Sequence, residues 1–371
     1  MGEKEMKKVL FIIPSLRGGG AEKLLSDILK SYDCSKYEVH IMYFYNNNIY
    51  LDEIPQYVRQ IIPFDIVNKT LGRIVWSLLK ILNLRDCFCR NKIRKAVDNR
   101  YDTIVSFLEG LSLHFHNFIV DRADKNISFV HTDFRHYSVS LNKHSLKEYN
   151  KMDSIVFVSK NACDSFRYVF PTNCSVHKVL PNFINISNIK AKSKEFKLSK
   201  IKPTIICVGR LEKVKGFELL IDIALKLKNL LDDFQFRIIG NGEEESNLKK
   251  LVKLNNLEEM IFFDGFKRNP YPYIANSDIM LSTSLAEGFS LVICEAMSLG
   301  IPVIASKTDG ALSLLGGGAG ILVERNPTEY VNAIVKLLKN RDAYNNYVSE
   351  GVRASRSYDI SSYLLQLYEI L

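Results

Sequence analysis

Two glutamates, two cations, a histidine and a run of glycines are the residues of this chain whose types and spacing could do chemistry. Glu287 and Glu295 lie in residues 282–306, STSLAEGFSLVICEAMSLGIPVIAS, with seven residues between them. Gly288 follows the first, and the pattern then changes from loop to amphipathic helix. The start of such a helix aims unpaired N–H groups and a positive dipole end at whatever fills the loop, which suits an anion. Carboxylates beside that anion can accept hydrogen bonds from the hydroxyls of a polyhydroxylated ligand. Arg210 and Lys215 stand in a turn before a helix that starts near Gly216. A forked guanidinium and a compact ammonium suit a diphosphate there, and would neutralise charge growing on a diphosphate leaving group.

These residues need elements to hold them. Val9–Ile13 is a short apolar run, residues 14–20 form a glycine-rich turn, and Ala21–Ser31 has helical periodicity through Leu24, Leu25, Ile28 and Leu29. Gly18, Gly19 and Gly20 permit close backbone approach to a ligand, with Arg17 beside them as a phosphate or acceptor contact. Further apolar runs at 38–44, 101–108, 126–131 and 154–158 alternate with helical stretches, the pattern of a parallel sheet. His131 closes one of these runs, at the strand end where ligands bind, followed by Thr132 and Asp133. A lone histidine is also a common structural residue. Residues 187–203 are polar and rich in Lys and Ser, which marks a linker. The alternation then restarts, with strands at 204–208, 234–239, 260–263, 278–282, 302–305 and 320–323 and helices between them. Asn241 and Gly242 form the turn after the second of these strands, and Gly265, Phe266 and Lys267 follow the third.

The 282–306 block resembles the donor-site signature of the retaining family-four glycosyltransferases of the GT-B fold. Similar stretches are Gly18 to Glu22, Val208-Gly209-Arg210-Leu211 with Lys215-Gly216, and Gly240-Asn241-Gly242, so the likeness spans most of the chain. It implies an α/β protein of two doubly wound Rossmann-like domains facing a cleft, with Gly18–Gly20 opposite Glu287. The expected boundaries are 1–186 for an acceptor-binding domain, 187–203 for the linker and 204–357 for a nucleotide-sugar domain. Residues 358–371 form a helix that returns to the first. The resemblance assigns Glu287 to the donor sugar and its reacting face, Glu295 to the ribose, Arg210 and Lys215 to the diphosphate, and His131 to the donor sugar. Gly19, Asn241, Gly242 and Phe266 would shape the donor pocket. Gly288, Phe289, Ser290 and Leu291 would contribute from the loop and helix start. Arg17, Gly18 and Gly20 would meet the acceptor. Many relatives carry a Gly-Gly-x-x-Glu stretch after the next strand; here residues 308–315 read TDGALSLL, without a Glu. The contact made from that loop is therefore in question.

The implied activity is retaining transfer of a hexose or N-acetylhexosamine from a nucleoside diphosphate sugar, UDP being expected, to a glycan or lipid-linked acceptor of surface polysaccharide, lipopolysaccharide or capsule. A related sugar-nucleotide epimerase or phosphorylase, or a non-catalytic sugar-nucleotide-binding subunit, would share much of this pattern. No Asp-x-Asp run is present, and Arg210 with Lys215 could neutralise the diphosphate, so neither a metal nor a cofactor is expected. The glycine spacing lacks the third glycine of a dinucleotide fingerprint.

Composition agrees with a two-domain globular chain: 371 residues, 47% hydrophobic and 25% charged. Seven dispersed cysteines without zinc spacing suit a reducing compartment, and a cytoplasmic location is expected. The net charge of +9 sits almost wholly in residues 1–190, with 27 Lys and Arg against 19 Asp and Glu. That bias favours an anionic partner, and with no nucleic-acid motif present the expectation is a membrane surface or lipid-linked phosphate. Leu71, Ile74, Val75, Leu78, Leu79 and Leu82 recur at helical spacing, with Arg85, Arg90, Lys92, Arg94 and Lys95 beyond. Residues 70–95 read either as an interfacial helix for peripheral attachment to anionic lipid or as an ordinary helix packed inward.

Overall fold

The computed structural model describes residues 6–16, 19–45, 51–64, 84–132, 134, 143–198, 202–231 and 233–371. The chain divides into two compact units. The first comprises Met1–Asn182 with Tyr363–Leu371, and the second is Phe183–Ser362. Each is an α/β unit on one parallel sheet, as the alternating pattern requires.

Among the described residues the first unit contains seven strands: β1 (Lys7–Ile12), β2 (Tyr37–Met42), β3 (Arg59–Ile61), β4 (Tyr101–Ser106), β5 (Ala123–Val130), β6 (Ser154–Phe157) and β7 (Val176–Val179). Their order is β3-β2-β1-β4-β5-β6-β7, all parallel. Chain order reverses between β1 and β4, so the crevice at their carboxyl ends is the topological switch point. The described residues that follow these strands are 13–16, 19 and 107–110, with 131–132 after the neighbouring β5.

Among its described residues the second unit has six: β8 (Thr204–Val208), β9 (Gln235–Ile239), β10 (Ile261–Gly265), β11 (Ile279–Ser282), β12 (Val303–Ser306) and β13 (Ile321–Val323). Their order is β10-β9-β8-β11-β12-β13, again all parallel. Side chains alternate between faces along a strand, and here both faces are apolar. Ile205, Cys207, Phe236, Ile238, Ile279, Leu281 and Ile304 enter one core, whereas Ile206, Ile239, Met280, Val303 and Ala305 enter the other. That two-sided burial explains why these strands read as unbroken apolar runs. The switch point falls between β8 and β11, which places the turn of Arg210 and Lys215 beside the loop of Glu287.

The stretch 187–203, expected as a linker, begins with the helix Ile186–Lys192 and belongs to the second unit. Ile189 is buried in that unit's core, and the Asn185 side chain caps the helix at Asn188 N–H. The final helix, Ile360–Ile370, contributes Tyr363 onward to the first unit. Leu367 is fully buried. The Tyr368 ring stacks on Tyr37 at 5.0 Å, meets Tyr32 edge-on, and its hydroxyl accepts the Asp33 N–H at 3.0 Å. Lys125 Nζ donates to the Ile370 carbonyl at 2.6 Å and Thr103 Oγ1 to that of Leu371 at 2.9 Å. These donors satisfy carbonyls that a helix end leaves unpaired.

Residues 65–83, where most of the expected interfacial helix falls, lie outside the described residues. Its basic flank is the helix Arg85–Ala96, which buries Cys89 and Ile93 and exposes Arg90, Lys92 and Lys95. Among the described residues no helix is long and apolar enough to cross a membrane.

One buried histidine braces the end of β4. His116 is fully buried, with Nδ1 3.2 Å from Ser106 Oγ and Nε2 3.0 Å from Asn126 Oδ1. The Asn126 amide nitrogen donates to the Val120 carbonyl, which leaves Oδ1 as an acceptor for His116. Burial, partly opposed by the bond to Asn126, lowers the His116 pKa to about 4. An unfolded histidine titrates near 6.5, so this contribution to stability is complete above that pH. It is lost as pH falls toward the folded value, because the unfolded chain then binds the extra proton. We expect the first unit to lose roughly 3 kcal/mol between pH 7 and pH 4 from this group, measured by denaturant titration. A His116→Asn variant should lack that part of the acid sensitivity; an identical pH dependence in both proteins would refute the assignment.

Candidate active site

In the second unit the Lys215 ammonium meets the Glu287 carboxylate, Nζ to Oε1, at 2.7 Å. Ser284 Oγ donates to the other carboxylate oxygen at 3.1 Å. Both partners are largely shielded from solvent, with side chains 24% and 14% exposed. The contact joins two loops 72 residues apart in sequence.

Local backbone demands set this geometry. Gly216 ends the Lys215 turn in the left-handed region, φ 61°. A Cβ there would lie 2.5 Å from the Thr283 carbonyl oxygen, so the turn can press against the β11 loop only with glycine. Thr283 Oγ1 donates to the Lys215 carbonyl at 3.0 Å, and Leu285 N–H to that of Val214 at 2.8 Å. The two loops are thus laced together by their backbones. A third joins them: Gly310 N–H donates to the Glu287 carbonyl at 2.7 Å. Gly310 belongs to the 308–315 stretch that lacks the Glu of many relatives. In this chain the contact made toward Glu287 is a backbone N–H.

The neighbouring turn is knit in the same way. Leu211 N–H donates to the Asn241 carbonyl at 2.9 Å, and Glu244 N–H to that of Leu211 at 2.9 Å. Asn241 and Gly242 are exposed. Phe266 follows Gly265, φ 70°, at the end of β10 with its ring 45% exposed. An uncovered aromatic ring at a strand's carboxyl end is available to stack on a planar group.

Arg210 behaves differently from Lys215. Its side chain is 70% exposed and pairs with Glu212 at 2.7 Å, not with Glu287. So open a pair contributes little to stability, and its guanidinium can be redirected to an anion at small cost. The helix after the signature loop is Leu291–Ser298, with Ser290 extended before it, so it begins three residues beyond Gly288. Gly288 and Phe289 are partly exposed in the loop, Leu291 is the first helical residue, and Ser290 is buried. Glu295 is 3% exposed, and the Tyr271 hydroxyl donates to its Oε1 at 3.2 Å. Ser284, Thr283, Gly310 and Tyr271 were not singled out in the sequence; Ser284, three residues before Glu287 in a loop, was the most findable.

In the first unit the candidate residues gather at the switch point. Gly19 precedes the helix Gly20–Ser31, and its N–H is taken by the carboxylate of Glu22. Glu22 also accepts the Ser15 hydroxyl at 2.6 Å, which ties the glycine turn back on itself. Gly20 is exposed as the first helical residue, whereas Arg17, Gly18 and Asp133 lie outside the described residues. The His131 ring packs against the Phe107–Phe129 pair, with centroids at 5.2 and 6.3 Å. Its Nε2 is buried without a hydrogen-bond partner among the described residues. Burial lowers its pKa, with the Glu109 charge and a hydrogen bond to the Phe107 backbone acting the other way. A buried ring nitrogen without a partner is costly and needs a reason such as a ligand.

Known proteins agree with this arrangement. Residues 188–353 match the family described as glycosyl transferases group 1. An uncharacterised glycosyltransferase of Haemophilus influenzae is 26% identical over 99% of this chain and 100% of its own length. The N-acetylgalactosamine-N,N'-diacetylbacillosaminyl-diphospho-undecaprenol 4-alpha-N-acetylgalactosaminyltransferase of Campylobacter jejuni is 29% identical over 94% of this chain and 96% of its own. Among solved structures, Anabaena HepE in complex with UDP and glucose superposes with TM-score 0.77 at 22% identity, covering 99% of both chains. The likeness in three dimensions shows the GT-B fold, and the segment that matches the glycosyl transferases group 1 spans the loops of Lys215 and Glu287.

Proposed function

We propose that this chain is a retaining hexosyl- or N-acetylhexosaminyltransferase that uses a UDP-sugar and elongates a lipid-linked glycan in surface polysaccharide synthesis. The observation that carries the reading is the Lys215–Glu287 contact of 2.7 Å at the carboxyl edge of β8 and β11. There a cation for the diphosphate and a carboxylate for the sugar stand side by side. Two of the similar proteins support the choice of ligands. HepE was solved with UDP and glucose, and the name of the Campylobacter relative specifies an undecaprenol diphosphate acceptor.

In this mechanism the Lys215 ammonium and the Arg210 guanidinium neutralise the charge that develops on UDP as the glycosidic bond breaks. The N–H groups at the start of the 291–298 helix add to that stabilisation. Glu287 holds hydroxyls of the sugar and steadies positive charge on its anomeric carbon, while Glu295 holds the ribose. His131 is assigned to the donor sugar as well. The new bond forms on the face the leaving group vacates, so configuration is kept. The cations do the neutralising work, and the reaction proceeds without a divalent ion. The cytoplasmic membrane face is the expected place of work, since a lipid-linked acceptor is presented there.

Thermal shift with UDP-, GDP- and ADP-sugars tests the donor. One UDP-sugar should raise the melting temperature well above the rest, and UDP release in EDTA should then depend on a lipid-linked glycan acceptor. Acceptor-independent turnover would point to an epimerase or phosphorylase, and binding without turnover to a non-catalytic subunit.

A further inference from the structure

A carboxylate that no motif contains governs the best-placed histidine of the first unit. Glu109 follows β4 at the switch point, just before Gly110, whose φ of 72° turns the chain into the helix Leu111–His116. Its Oε2 accepts the backbone N–H of His131 at 3.1 Å. Its Oε1 accepts the hydroxyl of Thr132. One side chain therefore clamps two successive residues at the end of the neighbouring strand, 22 residues away in sequence.

We propose that Glu109 is a positioning residue whose clamp presents His131 Nε2 as a lone-pair acceptor to a hydroxyl of the bound sugar. The inference rests on the reading that His131 serves the donor. Three observations carry it. First, Nε2 is buried and has no partner among the described residues, which leaves its lone pair open to a ligand atom. Second, the ring rests against Phe107 and Phe129, which are both fully buried and pack on each other at 5.0 Å, so a rigid apolar wall backs it. Third, the hydrogen bond to the Phe107 backbone favours the protonated ring, so the ring N–H is the donor and a carbonyl the acceptor. Since Nε2 has no partner, that donor is Nδ1. Burial is the largest influence on this histidine and keeps it neutral. A neutral ring with its proton on Nδ1 offers only a lone pair at Nε2. A lone pair takes a hydroxyl and rejects a phosphate oxygen, which assigns this nitrogen to the sugar and not to the diphosphate. Glu109 is the charged group that acts on the ring among the described residues, opposing the effect of burial.

The test uses the full chain with Glu109→Gln, Glu109→Asp and Thr132→Val, and His131→Gln for assignment. Two-dimensional ¹⁵N–¹H spectra of the imidazoles report tautomer and titration without any substrate. Wild type should show the Nδ1–H tautomer, and Glu109→Gln, which keeps an acceptor but loses the charge, should move the His131 midpoint to lower pH. Binding of UDP-glucose and UDP-N-acetylglucosamine is measured beside UDP alone. For whichever sugar nucleotide binds wild type, Glu109→Gln and Thr132→Val should weaken binding roughly tenfold. UDP alone should change less than about twofold, and Glu109→Asp should recover part of the loss. An unmoved His131 titration in Glu109→Gln overturns the proposal, and so does an equal loss of UDP and UDP-sugar binding. Should neither sugar nucleotide bind wild type, the donor reading fails, while the spectra still decide whether Glu109 governs His131. Thr132→Val removes one hydroxyl only, so a folded variant remains even where Glu109 substitutions melt early.

Discussion

Glu287→Gln should lower sugar transfer by roughly a hundred- to a thousandfold while leaving UDP binding intact. The amide matches the carboxylate in shape, so the acceptor toward Lys215 or Ser284 can be kept while the negative charge is lost. That charge has two roles with opposite consequences. In the proposed transition state it would steady a positive anomeric carbon, and its loss should raise the barrier by about 3–4 kcal/mol. In the resting protein it holds Lys215 at 2.7 Å, and its loss frees the ammonium for the diphosphate. The kinetic signature is thus a fall in kcat with UDP affinity equal to or tighter than wild type. Lys215→Ala should do the reverse to affinity, weakening UDP while removing leaving-group stabilisation as well. Calorimetry with UDP alongside a UDP-release assay separates the two. Wild-type turnover by Glu287→Gln would end the assignment of this carboxylate to the reacting sugar.

Gly240→Ala should destabilise the second unit by about 4 kcal/mol or more, enough to abolish soluble expression of many domains. Gly240 has φ 146°, and a Cβ built on it lies 1.8 Å from the Gly209 carbonyl oxygen. Both atoms are backbone, so no rotamer change relieves the overlap. The strands that carry them, β8 and β9, are paired in register up to Val208 and Ile239, so neither chain can retreat alone. Gly317→Ala is the matched control, since a Cβ there meets nothing within 4 Å. Chemical denaturation should show the control within about 0.5 kcal/mol of wild type. Equal stability of the two variants would show that the close approach at the Arg210 turn is not required.

The signature residues were legible because they are local. Glu287, Glu295 and the helix between fall in one block, and the two-sided apolar strands β8, β11 and β12 stand out by composition. The pairing of Lys215 with Glu287 followed from the switch-point rule once the strand order was known. What could not be read is what long-range strand pairing creates. Glu109 looks like any polar residue after a strand, and only the β4–β5 register sets it against His131 and Thr132. Arg210 went to Glu212 because a partner two residues away needs no loop closure. The strand β7 escaped notice for another reason: Val176 and Val179 at its ends are exposed on the sheet edge, so no apolar alternation marks it.

The aromatic cluster that seats Tyr368 against Tyr32 and Tyr37 joins residues more than 330 positions apart. During synthesis the ribosome delivers Tyr32 and Tyr37 early and Tyr368 only after all of Phe183–Ser362 has been made. The first unit must therefore wait, with an apolar groove open to its surroundings, while the second matures. A nascent chain stalled before Tyr363 emerges would hold a first unit still unsealed, the stage at which a chaperone has something to bind.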